Sequence, residues 1–542
     1  MRQPKLFVNH NDFLITNKDN ISFENVDIQQ VDSVNRIFGY CITDKEHFQN
    51  ENLSEGAINY IEKNNIDISG IFCAVRLSDQ SITLSLDPLC QFNLFYFSCE
   101  SFFIISSNID MMRKLHKFDI NPNYIFDQLA YKSIMRGQTI LKNIYYLQLQ
   151  DVNSEENSQS ILNVLEDFSI YINRPEYSKY DNLNYYDLLR LYRKRLDDRA
   201  EIVANKFDEI HIQLTGGADS RLALSSFAKF DHIKCSVYGD GTSQNRLVFE
   251  EIVSSLDIQV ANPERFIGQP LNNSSRVIGA LARSSYMKLN NLTFYMNGLP
   301  HDTLKLCKIT GYYGANIAGG VDLPYQSNIR NTRLESVPKD RFTYFKYVSD
   351  FVNKHKNLRP VALLDLFYIN NRGKSHYAAH SLLDNIYASS VDILYDYINI
   401  LLVRKAPYSD GDINKNAISV DLIYLQNPQL AMFPYDSRKI PEYRLFENIP
   451  LINCFKGYMF AHKNLKSFPV LRPSPNNDDK NFIRLTNEQG SEVCDVRLFT
   501  NDLIRERASH YPELKHLTKE YDIYSRIFLY YLLSEIQVLD LC

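Results

Sequence analysis

The spacing of hydrophobic and polar positions changes character along the chain, and the change divides it. Between Gly70 and Ser106 four short apolar runs follow closely: Gly70–Leu77, Ser81–Leu86, Asn93–Phe97 and Phe102–Ser106. Runs of this length, rich in Phe, Ile and Val and parted by polar turns, predict antiparallel strands. Residues 153–160 are entirely polar except for their context and predict a solvated loop. From about Tyr185 to Lys206 the spacing predicts a helix, which leads into Ile210, Ile212 and Leu214 alternating with polar residues as in a half-buried strand. Leu224, Phe227 and Ala228 then recur at helical spacing. His232–Tyr238 predicts a second strand and Leu247–Leu256 a second helix. Strand, helix, strand, helix in that order predicts a parallel sheet with helices on both faces. Helices are expected to dominate residues 340–470, followed by a surface loop at 472–480 and helix through the last sixty residues.

The first strand of the parallel pattern runs into Thr215-Gly216-Gly217-Ala218-Asp219-Ser220-Arg221. A strand that stops at a glycine pair and hands over to a helix leaves the first amides of that helix facing outward. The positive end of the helix dipole lies behind them. This is a site for phosphate or pyrophosphate, with the glycines allowing close approach and the Thr215 and Ser220 hydroxyls adding donors. Asp219 would repel a bare phosphate and makes sense as a magnesium partner. Arg221 has two readings, a bidentate contact to a phosphate or substrate carboxylate or a cap and salt bridge on its own helix.

Length and composition narrow the class. A chain of 542 residues has room for two to four domains and a large core. A net charge of −5 gives no electrostatic footprint for nucleic acid. Nine cysteines, none in a Cys-x-x-Cys pair, are expected to be reduced and buried. The first residues, Met1-Arg2-Gln3-Pro4-Lys5, lack a signal-peptide core, and no run of about eighteen apolar residues predicts a membrane span. A cytoplasmic protein without membrane partners is expected.

Thr215 to Ser220 resembles the Ser-Gly-Gly-x-Asp-Ser pyrophosphate loop of the N-type ATP pyrophosphatases, with threonine for the leading serine. Gly70 to Ala74, Asp87-Pro88 followed by Asn93 to Tyr96, and Thr139 to Leu147 resemble segments of a class II glutamine amidotransferase domain. Lys308 to Asn316, with Gly311, Tyr312 and Gly314, lies where the asparagine synthetase family has a strand ending in a glycine-rich acidic segment, and Leu394-Tyr395-Asp396 resembles its Pro-Leu-x-Asp segment. Together these motifs resemble that family. The resemblance implies an α/β chain with two domains. Residues 1–155 would form a degenerate, Ntn-hydrolase-like antiparallel α+β domain. Residues 180–542 would form a parallel-sheet ATP-pyrophosphatase (HUP-like) domain with a helical C-terminal part.

The resemblance also implies chemistry: an ATP-dependent, AMP-forming carbon–nitrogen ligase, with ATP and Mg2+ as cofactors. A substrate carboxylate would be activated as an acyl-adenylate and attacked by an amine. Thr215, Gly216, Gly217, Asp219 and Ser220 would hold ATP and pyrophosphate. Gly311, Tyr312, Gly314 and Arg221 would line the substrate pocket, and Asp219 with Asn316 would hold the metal. Ala315 and Asn316 stand where the family offers its second acid. Position 2 is Arg2 and the first cysteine is Cys41, so the N-terminal nucleophile of glutamine hydrolysis is missing. In this the chain is similar to the β-lactam synthetases and lasso-peptide cyclases, which points to peptide or specialised-metabolite biosynthesis without glutaminase activity. Two further readings are a non-catalytic accessory or binding subunit and amidation of a uronic sugar in surface polysaccharide biosynthesis. The oligomeric state is left open.

Overall fold

The computed structural model describes residues 5–9, 12–18, 21, 23, 28–31, 33–64, 67–78, 81–119, 121, 124, 137–146, 162–163, 178, 180–237, 244–261, 306–311, 314, 351, 367, 369–378, 381–382, 385, 389–405, 417–431, 433, 484–486 and 492–495. It is a mixed α/β structure with two predominantly antiparallel sheets and one parallel sheet.

The antiparallel half contains β1 (Lys5–Val8), β2 (Phe13–Thr16), β3 (Gln29–Val31), β4 (Val34–Ile42), β5 (His47–Gln49), helix α1 (Glu55–Asn64), β6 (Phe72–Ser78), β7 (Ser81–Leu86), β8 (Phe95–Ser98), β9 (Phe103–Ser106), helix α2 (Ile109–Arg113), β10 (Tyr145–Tyr146) and β11 (Leu162–Asn163). All four apolar runs read from the sequence are strands, but they belong to two sheets. One has the order β10-β8-β9-β2-β1-β3, the other β11-β7-β6-β4-β5. The turn from β7 to β8 carries the chain between them. It is organised by the buried Asp87 carboxylate, which accepts the amides of Gln91 (2.9 Å), Phe92 (2.8 Å) and Leu89 (3.3 Å). A carboxylate that satisfies three turn amides lets a buried connection keep its backbone groups paired.

The parallel half opens with helix α3 (Tyr185–Lys206). Asn184 caps it by accepting the Asp187 amide, and its inward face carries Leu188, Leu189, Tyr192, Leu196, Ala200 and Val203 at three- and four-residue spacing. Next come β12 (Glu209–Gln213), α4 (Ala218–Phe227), β13 (Ile233–Ser236), α5 (Gln244–Ser255), β14 (Gln259–Val260), β15 (Leu306–Thr310) and β16 (Ser389–Asp392). All adjacent pairs are parallel, in the order β14-β13-β12-β15-β16. Ile212, Ile309 and Val391 lie side by side across three strands and are fully buried.

β16 is a strand within the region where helices were expected to dominate, set by its pairing with β15. Helices do follow it: α6 (Tyr397–Lys405), α7 (Ala417–Gln426) and α8 (Pro428–Ala431). One expectation is corrected. Near the C-terminus, where helix was expected throughout, β17 (Arg484–Thr486) and β18 (Glu492–Asp495) pair antiparallel. The loops expected at 153–160 and 472–480 lie outside the described residues.

One continuous apolar core joins the halves, with Phe13, Phe38, Val75 and Leu86 in the same cluster as Ile212, Leu224 and Val391. Each such side chain contributes about 2 kcal/mol on burial. Among the described residues, no helix is long and apolar enough to cross a membrane.

Candidate functional site

The chain builds the parallel sheet outward from β12 to β13 and β14, then returns to place β15 on the other side of β12. β12 and β15 are therefore neighbours whose outgoing connections diverge. In such sheets the crevice beyond the carboxyl ends of this strand pair is where ligands bind. Two of the sequence-predicted segments meet there. Thr215 to Ser220 leave β12, and Gly311 to Gly314 leave β15.

The Thr215–Ser220 loop is stiffened by its own hydroxyls. The Thr215 amide donates to Ser220 Oγ at 3.0 Å, the Thr215 and Ser220 hydroxyl oxygens lie 2.9 Å apart, and the Gly217 amide donates to Thr215 Oγ1 at 3.2 Å. Gly217 is the N-cap of α4 and supplies no side-chain hydrogen bond to the first turn. Thr215, Gly217, Asp219 and Ser220 are half-buried, while Gly216 is buried.

Gly311 and Gly314 pack directly on Asp219. A Cβ at Gly311 would stand 2.8 Å from the Asp219 carbonyl oxygen. At Gly314, whose φ is +59°, a Cβ would stand 2.8 Å from Asp219 Oδ1 and 3.0 Å from Oδ2. Gly311 thus admits the Asp219 backbone and Gly314 its carboxylate to the turn after β15, which closes through the Gly314 amide and the Gly311 carbonyl at 3.3 Å. Tyr312 and Asn316 lie outside the described residues.

Arg221 is fully buried. Its Nη1 donates to the Phe433 carbonyl at 2.7 Å and its Nη2 to the Gly216 carbonyl at 3.4 Å. The guanidinium braces the loop against Phe433, two residues beyond α8, a contact that neither sequence reading of Arg221 contained.

Sequence reasoning missed two residues near the loop. Asp392 ends β16 in register with Thr310, the residue before Gly311. Tyr192 of α3 is fully buried, and burial together with the Asp396, Asp219 and Asp392 carboxylates pushes its phenol well above the ordinary value. Tyr192 therefore senses carboxylates from two places, the first turn of α4 and the turn after β16. Asp392 was findable as the polar end of a short strand, whereas Tyr192 reads as one core residue among many.

A further carboxylate stands at this edge. Asp396 is buried. Burial alone would raise its pKa, but Arg195 and Arg199 outweigh this and hold it below the ordinary carboxylate value. Arg195 Nη2 lies 2.8 Å from Asp396 Oδ2 and Arg199 Nε 3.9 Å from it, and Asp396 Oδ1 accepts the Asn399 amide at 3.0 Å in the first turn of α6. Leu394-Tyr395-Asp396 is thus a seam between the halves. Among the described residues, no group of three or more His, Cys, Asp or Glu side chains is placed to hold a metal ion. No protein-family model matches the chain, and no curated protein sequence matches it.

Proposed function

We propose that the chain is an ATP-dependent carbon–nitrogen ligase that activates a substrate carboxylate as an acyl-adenylate and joins it to an amine. The observation that carries this reading is the position of the Thr215–Ser220 loop. It lies at the strand-order reversal of a parallel sheet, at the start of a helix, with a carboxylate set into the neighbouring glycine turn. The first-turn amides of α4 suit the pyrophosphate of ATP. Bonding between Thr215 and Ser220 holds the loop ready before a ligand arrives, which lowers the cost of binding. Asp219 is a hard oxygen donor suited to magnesium, which when bound would neutralise phosphate charge. Asn316 is proposed as a second metal contact and Tyr312 as a pocket residue on the sequence alone.

In this reading the protein's work is positioning and electrostatic stabilisation of the reacting phosphate. Peptide or specialised-metabolite ligation is the preferred setting, because the amine is then part of the substrate and no ammonia supply is needed.

The test is magnesium-dependent exchange of labelled pyrophosphate into ATP with pooled candidate carboxylates, alongside calorimetry of Mg-ATP binding. The wild-type chain should exchange, and Asp219→Ala should lose about 100-fold or more, the scale for removing one preorganised charge-stabilising group. A wild-type chain that binds no Mg-ATP would sink the ligase reading and leave an accessory, binding role.

A further inference from the structure

The turn after β16 is gripped at three points by residues of the antiparallel half. Tyr40 of β4 is fully buried. Its hydroxyl accepts the Asp392 amide at 3.0 Å and lies 3.5 Å from the Asp392 carbonyl. The Tyr395 hydroxyl donates to the Asp87 carboxylate. The Ser69 hydroxyl donates to the Asp396 carboxylate. Ser69, Asp87, Asp392, Tyr395 and Asp396 are all buried as well. Hydrogen bonds in such surroundings are directional and are not exchanged for water, so they fix geometry more tightly than apolar contact does.

The same turn touches the candidate site within two residues. Asp392 pairs with Thr310, and the Ile393 amide donates to the Thr310 carbonyl at 3.3 Å. Thr310 is followed by Gly311, whose Cβ position lies 2.8 Å from the Asp219 carbonyl oxygen. A line of packed backbone therefore runs from Tyr40 through Asp392 and Thr310 to the first turn of α4.

We propose that Tyr40, Ser69 and Asp87 are positioning residues for the nucleotide crevice. The antiparallel half clamps residues 392–396 and thereby sets the level of the Gly311–Gly314 turn and of the Asp219 carboxylate lodged in it. This rests on the nucleotide reading above. It gives the antiparallel half a task that needs no chemistry of its own. A binding site must be held within about half an ångström by the shell around it, and here that shell comes from a different sheet.

Tyr40→Phe and Ser69→Ala each delete one hydroxyl and leave the apolar packing in place. Both would be compared with the full-length wild type by calorimetry of Mg-ATP binding, hydrogen exchange of the peptide covering 390–399, and thermal unfolding. The expected result is Mg-ATP affinity lower by about tenfold, the scale of one buried hydrogen bond. Exchange should quicken at 392–399 while the rest of the chain keeps its protection. Wild-type affinity in both variants would overturn the clamp and leave the nucleotide reading standing. Exchange that quickens everywhere in step with a lower melting temperature would also overturn it, since a purely structural role gives that result. A wild-type chain that binds no Mg-ATP would remove the nucleotide reading, and the positioning role with it.

Discussion

The seam between the two halves and the glycine loop at the carboxyl edge of the parallel sheet both gather charged and hydroxyl side chains, but they dispose of them differently. At the seam Asp396 meets Arg195, Arg199 and Ser69, while Arg199 Nη2 also donates to the Asp67 carbonyl at 2.6 Å. Each of these charges is compensated by the protein itself. At the loop the hydroxyls of Thr215 and Ser220 are spent on each other, and the Asp219 carboxylate faces a glycine turn and remains half-buried. A region with all charges compensated can only hold. A half-buried carboxylate beside the first amides of a helix can still take up a ligand. The first should therefore answer to mutation in stability, the second in binding.

The largest effect should come from the seam. Asp396→Ala leaves Arg195 and Arg199 without their carboxylate and removes the N-terminal cap of α6. Breaking a buried pair from one side costs about 3–5 kcal/mol. Urea unfolding followed by circular dichroism would read this directly. A loss below about 1 kcal/mol would mean the seam is solvated and the comparison fails.

The next effect is pH dependence, also at the seam. His47 is buried between Tyr40 and Phe207, with ring centroids 6.4 and 5.4 Å away, and among the described residues neither ring nitrogen has a hydrogen-bond partner. Burial and then the Lys206 charge press its pKa from the ordinary 6.5 down to about 3. The folded state thus binds its proton less readily than the unfolded state. The stability contribution is complete above pH 6.5 and is lost as pH falls toward 3, at up to about 1.4 kcal/mol per pH unit. Asp396, also held below its ordinary value, adds to the loss only once unfolded carboxylates protonate, near pH 4 and below. Between pH 6 and 4.5 the loss should total about 2 kcal/mol. His47→Leu should flatten the slope over that range whatever its absolute stability, and an unchanged slope would assign the effect elsewhere.

How much of this was legible in the sequence follows the same division. Strand, Thr-Gly-Gly-Ala-Asp-Ser and helix are local signals, and β12, the loop and α4 stand where periodicity and turn chemistry put them. β4 escaped notice because Gly39 and the polar Asn35 and Arg36 break its apolar run, although β6 and β5 pair with it along its length. β16 owes its strand character to β15. Nothing local separates Arg195 and Arg199 from the exposed Arg190 and Lys194 on the same helix, and their partners lie in other elements. Arg221 was read as a ligand or a helix cap, and its contacts with the Phe433 and Gly216 carbonyls had no local signal. Sites built from one stretch of chain can be read in advance, whereas charges paired across the fold cannot.

The smallest stability effect, and the sharpest test of the loop, is at Gly314. Alanine there must adopt a φ of +59° and place its Cβ 2.8 Å from Asp219 Oδ1. The left-handed backbone costs about 1 kcal/mol. The contact adds a cost that depends on how far the carboxylate can move, so Gly314→Ala should lose about 1–2 kcal/mol in all. The two contributions separate in a double-mutant cycle. With Asp219→Ala already present the clash is gone, and Gly314→Ala should then cost only the backbone part. Equal costs in both backgrounds would show that Asp219 does not lodge in the turn. A coupling of about 0.5 kcal/mol or more, with Mg-ATP affinity reduced in Gly314→Ala alone, would tie the glycine turn to the carboxylate. The loop would then differ from the seam as argued: a displaced charge there costs little stability and much of the binding.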